Sequence, residues 1–266
     1  MQGADRSSSL SEEPGRVVGA DRVLAVLVEL AKHPDGASLD ELSTPLRSPK
    51  PTVHRALVAL RKAGLAVQSG RGAYQLGDEF LRLAFEYQAA RPEAARVLPV
   101  LERLAERFGE TAHYAILEGA DVVYRAKVDP PEGAVRLTSV IGGRNPAYRT
   151  AVGKLLLSRV VRSEEELVGR LGPGPFEPRT DRTITTIPAL WEELESVRAK
   201  GYAVDDQENE LGINCIAVPI QGGTPSHTAG AVSVSALAFR LPIDALVESL
   251  PVILPLVAPA SNDWSH

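Results

Sequence analysis

Cysteine is nearly missing from this chain: Cys215 is the only one in 266 residues. No internal disulfide can form, and no multi-cysteine zinc site can be assembled. Both facts suit the cytoplasm. Long apolar runs are missing too. No eighteen consecutive apolar residues occur, so nothing is expected to span a membrane. The first eighteen residues, with Ser7, Ser8, Ser9, Glu12, Glu13, Pro14 and Gly15, hold no apolar segment either. Residues 1–18 read as a disordered arm rather than a secretory signal. The five histidines stand in no Ser-His-Asp order and no metal-ligand cluster, so neither an enzyme nor a cofactor is expected.

One further absence is local. Between Glu41 and Asp78 no acidic residue occurs, while that window holds Arg47, Lys50, Arg55, Arg61, Lys62 and Arg71. The whole chain carries −5, and from residue 93 onward 17 basic residues face 23 acidic ones. A basic module therefore sits on an acidic body. That marks either a nucleic-acid contact or a solvated basic face. The remaining composition, 44% hydrophobic and 24% charged, is that of an ordinary globular protein long enough for two domains.

The basic window has internal order. Val23, Leu24, Leu27 and Leu30 fall at helical spacing between Gly19 and Lys32, and Pro34, Asp35 and Gly36 stop that helix. Ser38 followed by Glu41 is the capping-box pattern of a second helix. A third begins near Pro51, whose missing N–H costs nothing in a first turn, and Val53, Ala56, Leu57 and Leu60 bury it. Gly64 ends it, and 65–76 reads as a hairpin around a Ser69-Gly70-Arg71-Gly72 turn. Three helices and a hairpin make a winged helix-turn-helix over 19–77. Its third helix fits the DNA major groove, and Arg71 at the wing tip can follow phosphates or enter the minor groove.

Residues 78–92 read as a linker helix carrying Phe80 and Phe85, which pack on a neighbouring domain or pair two subunits. From 93 to 260 the pattern is α+β. A helix over 94–108 precedes strands at 112–117, 122–128 and 135–141. Helices at 153–161 and 187–200 come next, then strands at 215–220 and 229–237. Pro251, Pro255 and Pro259 make the closing helix short or broken. Three places could form a ligand site. The loop over 145–154 leads into a helix whose first N–H groups could hold an anion. The acids of the stretch 204–215, Asp205, Asp206, Glu208 and Glu210, either bind a metal or form a solvated loop. In Val232-Ser233-Val234-Ser235, alternation puts both serines on one sheet face, as a pocket floor or a solvent face. Cys215, at the start of a buried strand, reads as packing rather than as a nucleophile.

Several segments together resemble the IclR family of bacterial regulators. At the N-terminus they are Asp21-Arg22-Val23-Leu24, Asp40-Glu41-Leu42, Pro49-Lys50-Pro51-Thr52-Val53-His54-Arg55-Ala56-Leu57 and Tyr74-Gln75-Leu76-Gly77. Further on they are Thr150-Ala151-Val152-Gly153-Lys154, Gly201-Tyr202-Ala203-Val204-Asp205-Asp206, Gly212-Ile213-Asn214-Cys215 and Ser233-Val234-Ser235. The resemblance spans roughly residues 20 to 240. It implies a winged helix-turn-helix, a linker helix and a C-terminal GAF-like effector-binding domain, acting as a dimer or a dimer of dimers. It implies a repressor-type regulator of a double-stranded DNA operator, governed by a small carboxylate or aromatic metabolite. DNA contacts are expected from Arg22, Lys50, Pro51, Thr52, His54, Arg55 and Arg71. Effector contacts are expected from Tyr148, Arg149, Ala151, Val152, Asp205, Cys215, Ser233 and Ser235. Two departures stand out. Arg47 and Ser48 replace the family's usual glycine and leucine, where glycine tolerates positive φ. Tyr148-Arg149 replaces His-Cys or His-Ser, and Arg149 faces either the pocket, favouring a carboxylate, or water.

Overall fold

A computed structural model describes residues 19–70, 72–89, 92–130, 137–220 and 230–262. The expected arm 1–18 and Arg71 lie outside the described residues. The chain forms two compact units, one up to residue 90 and one from residue 91.

The first unit follows its local signals closely. Helix α1 (Ala20–Leu30) buries Val26 and Leu30. Helix α2 (Leu39–Ser43) opens on the reciprocal cap that the Ser38/Glu41 spacing predicts. The Ser38 hydroxyl accepts from the Glu41 N–H at 3.3 Å, and the Glu41 carboxylate accepts from the Ser38 N–H at 2.8 Å. Helix α3 (Lys50–Lys62) buries Val53, Ala56, Leu57 and Leu60 in one core with α1 and α2. Gly64, at φ +73°, turns the chain into β1 (Ala66–Gln68), which pairs antiparallel with β2 (Tyr74–Leu76). Helix α4 (Asp78–Ala89) follows.

In the second unit, α5 (Pro92–Phe108) leads into β3 (Thr111–Glu118) and β4 (Asp121–Val128). Next come β5 (Arg144–Pro146), a 3-10 turn (Ala147–Arg149), α6 (Ala151–Val160), α7 (Glu164–Leu171) and α8 (Ile187–Lys200). Then come β6 (Ala203–Asp206), β7 (Ile213–Pro219), β8 (Ala231–Leu237), α9 (Ile243–Glu248) and α10 (Leu250–Asn262). All six strands form one antiparallel sheet in the order β5-β4-β3-β8-β7-β6. Alternating side chains feed two cores. Val232, Val234, Ile216 and Val218 join α5, α9 and α10 on one face. Tyr124, Ala203, Ala217 and Ala231 join α6, α7 and α8 on the other.

Three expectations need correction. No strand covers 137–141; the short edge strand is Arg144–Pro146, and 135–136 lie outside the described residues. Gly142, at φ +81°, and Gly143 turn the chain while bonding the Tyr124 backbone of β4, and the regular ladder covers only 144–146. The closing helix is neither short nor broken: α10 runs thirteen residues through its prolines. They recur every fourth residue, so their missing N–H groups share one side, and at Pro251 and Pro255 that side is exposed. Helix α7 was not anticipated, although Ser163 and Glu166 carry the same cap signal as α2, with the Ser163 hydroxyl accepting from the Glu166 N–H at 3.2 Å.

Candidate functional site

Two regions gather the residues singled out above. On the first unit, burial of one face of α3 leaves Lys50, Pro51, His54 and Arg55 exposed and Thr52 half-buried. Arg55 lies along its own helix, donating to the Pro51 carbonyl at 3.4 Å. Lys50 pairs with Asp40 of α2 at 2.5 Å, both exposed, so the pair is easily exchanged for another anion. Arg22 lines a concavity with Thr52 and Arg55, and its buried Nε has no hydrogen-bond partner among the described residues. The turn between α2 and α3 holds Arg47 at φ +45°, the left-handed conformation a glycine takes without cost. Hydrogen bonds from the Arg47 N–H to the Thr44 carbonyl and from the Ser48 N–H to the Ser43 carbonyl fix it there.

The second region is a cavity of about 260 Å³ on the α6 side of the large sheet. Strand register builds its floor. Asp205, Cys215, Ser235 and Thr111 stand opposite one another in a row across β6, β7, β8 and β3, and Ser233 stands opposite His113 in the next row. Directly opposed residues share a face. Arg149, Ala151, Val152, Asp205, Cys215, Ser233 and Ser235 therefore all line this one cavity. The serine face is a cavity floor, and Arg149 is on the cavity side. Tyr148 is not among the lining residues. It stacks on Phe176 at 4.6 Å in the adjoining core, and its hydroxyl donates to the Glu177 carbonyl. The physical reason is the 3-10 turn, which packs so tightly on α6 that a Cβ at Gly153 would lie 2.1 Å from the Ala147 carbonyl oxygen. Tyr148 of that turn joins the core while Arg149 lines the cavity, its guanidinium 6.0 Å over the Tyr148 ring.

The anchoring is specific. Thr150 caps α6, accepting from the Gly153 N–H at 3.1 Å, and the N–H groups of Ala151 and Val152, which line the cavity, have no hydrogen-bond partner among the described residues. Arg149 Nε donates to Asn209 at 2.9 Å, and no other hydrogen bond holds its guanidinium among the described residues. Among the described residues no group of these acids is placed to hold a metal ion, and all but exposed Glu210 have a hydrogen-bond or ion-pair partner. Asp205 accepts from the Glu208 and Asn209 N–H groups, Asp206 pairs with Arg182, and Glu208 pairs with buried Lys154, which also meets Glu193 at 3.1 Å. Burial disfavours the Lys154 ammonium, but Glu208 and Glu193 outweigh it and keep it charged.

Burial also settles the neutral groups. It pushes His113 down to about 3, Tyr124 up to about 12 and the Cys215 thiol well up. Cys215 is thus no thiolate nucleophile. The sequence pattern missed His113, Tyr124, Ser139, Asn145, Arg179 and Asn209 on the cavity wall. Only the cross-strand pairing of β3 with β8 brings His113 to the serines, and no local signal reports it.

A model described as bacterial transcriptional regulator IclR C-terminal matches residues 91–258, and one described as IclR helix-turn-helix domain matches residues 19–70. The chain is 31% identical to the Pca regulon regulatory protein of Pseudomonas putida over 263 residues, 99% of this chain and 88% of that protein. It is 30% identical to the DNA-binding transcriptional repressor YiaJ of Escherichia coli over 239 residues, 87% of this chain and 85% of that protein. The crystal structure of the Thermotoga maritima IclR superposes with a TM-score of 0.77 at 26% identity, covering 92% of this chain and 98% of that one. An IclR homolog from Microbacterium hydrocarbonoxydans complexed with 4-hydroxybenzoate shares the fold at a TM-score of 0.73 and 21% identity, covering 91% and 98%. With both units matched in order, the chain belongs to the IclR family of bacterial transcriptional regulators, DNA-binding proteins rather than enzymes.

Proposed function

We propose that this regulator is a cytoplasmic repressor whose hold on its operator is set by a small carboxylate or aromatic acid in the cavity. One observation carries the ligand class: Arg149 stands on the cavity wall, and among the described residues the two terminal nitrogens of its guanidinium make no hydrogen bond. That fork matches a carboxylate, and the free N–H groups at the start of α6 add a second anion-binding element. Tyr148 supports the site from behind. The DNA module, residues 19–77, reads the major groove with Lys50, Pro51, Thr52, His54 and Arg55, while Arg22 and Arg71 meet phosphates or the minor groove.

Two subunits pair so that two such helices reach successive grooves. Exposed Leu24 and Val28 on α1, and Phe85 and Tyr87 on α4, are the apolar side chains offered for pairing. Ligand in the domain over 93–260 binds one arrangement of the pair better than the other and so shifts operator affinity. A gel-shift titration on the DNA upstream of its own gene, at two salt concentrations with unrelated competitor, tests the reading. Competitor-resistant, salt-weakened retention that 4-hydroxybenzoate or another small carboxylate relieves is the expected result. Retention indifferent to every carboxylate would remove the effector class.

A further inference from the structure

Asp205 is the buried one of the two acids that line this cavity, Glu210 being exposed. Its side chain is 2% exposed. One oxygen is fully used, accepting the Glu208 N–H at 2.7 Å and the Asn209 N–H at 3.2 Å. The other oxygen makes no hydrogen bond among the described residues. Asp205 has no ion-pair partner there either. The nearest buried ammonium, Lys154 from α6, is held by Glu208 and by Glu193 of α8. The cavity that Asp205 lines also carries Arg149 from the 3-10 turn, Arg144 from β5, Arg179 from the loop before α8, His113 from β3, Tyr124 from β4, Cys215 from β7 and exposed Glu210 on the following loop. Lys154 is thus already taken by two other acids before any ligand enters. Two carboxylates confined in about 260 Å³ cannot both stay ionised cheaply.

We propose, resting on the carboxylate reading above, that Asp205 binds the ligand as the neutral acid, so that the cavity takes up a carboxylate and a proton together. The proton comes from solvent and stays on the free Asp205 oxygen, whose O–H then donates to the ligand. Specificity follows: the site favours a ligand with an acceptor at that point and penalises a second anion there. The rest of the wall leaves Asp205 as the group that titrates near neutrality. Its carboxyl is pushed up to about 7 by burial first and by Glu208 second. His113 is pushed down to about 3, while Tyr124 and Cys215 are pushed up out of the range.

The test is isothermal calorimetry on the full chain with a series running from acetate through benzoate to 4-hydroxybenzoate, between pH 6 and 9. For members that bind, the dissociation constant should rise about tenfold per pH unit above 7. In buffers of different ionisation enthalpy at pH 8, proton uptake should approach one per site. In Asp205→Asn the amide keeps both backbone acceptor contacts and supplies its own N–H donor, so binding should persist and lose its pH slope. Binding by wild type without proton uptake, or the same slope in Asp205→Asn, overturns the proton coupling and leaves the carboxylate reading intact. No binding by any member of the series overturns both.

Discussion

Cys215 and Ser235 face each other directly across the β7–β8 pairing, and the thiol donates to the serine hydroxyl at 3.1 Å. The same hydroxyl lies 3.4 Å from His113 Nδ1. One oxygen therefore ties three strands of the cavity floor together. Ser235→Ala removes it and leaves the thiol and the imidazole without that partner. Ligand affinity should fall by about 1 kcal/mol, the ordinary weight of a lost hydrogen bond, with the fold intact. Calorimetry on the variant checks this; an unchanged affinity would take Ser235 out of the site.

Asp205 also makes stability depend on pH. Its carboxyl is raised from 3.8 to about 7, so the folded chain holds more protons than the unfolded one between those values. The stabilisation from this group is full below 3.8 and is lost as pH rises through 7. Asp205→Asn should therefore gain on wild type by up to about 4 kcal/mol at pH 8, shrinking toward zero near pH 4. Urea unfolding of both proteins across that range gives the difference directly.

Lys154 is a fully buried ammonium paired with Glu208 and Glu193. Glu208 already carries one buried oxygen without a hydrogen bond. Lys154→Met keeps the volume of the side chain but strands that carboxylate. The expected loss is about 3–5 kcal/mol, far above the cost of an exposed pair. Thermal or urea unfolding of the second unit's transition reads it.

Arg47 occupies left-handed backbone where its Cβ is strained. Arg47→Gly relieves about 1–2 kcal/mol of that strain. It also frees the unfolded chain, which takes back about 0.5–1 kcal/mol. A net gain of about 0.5 kcal/mol in urea unfolding is expected. A loss would mean that Arg47 makes a stabilising contact the turn geometry does not reveal.

On α3, Lys50→Ala and Arg55→Ala should both weaken operator retention. The salt slope should flatten for a phosphate contact, and discrimination between operators should drop by about 1–3 kcal/mol for a base contact. Normal affinity in both variants would remove α3 as the reading helix.

Much of this molecule is written in short-range pattern. The Ser38/Glu41 cap, the apolar spacing of α3, the stop at Gly64 and the alternation of Val232-Ser233-Val234-Ser235 each follow from neighbours a few residues apart. Those interactions have fixed geometry, so the sequence by itself determined the helix order of the first unit and the serine face of β8. The cavity is a different matter. Pairing of β3 with β8 sets His113 beside Ser235, 122 residues away, and the loop after β6 brings Asn209 to Arg149, 60 residues away. Tyr148 and Arg149 are adjacent in sequence, yet one joins a core and the other a cavity, because close packing against Gly153 orients the turn. Strand order, register and the direction of a turn residue depend on contacts between distant segments. Only the tertiary structure decided them, since no local period carries that information.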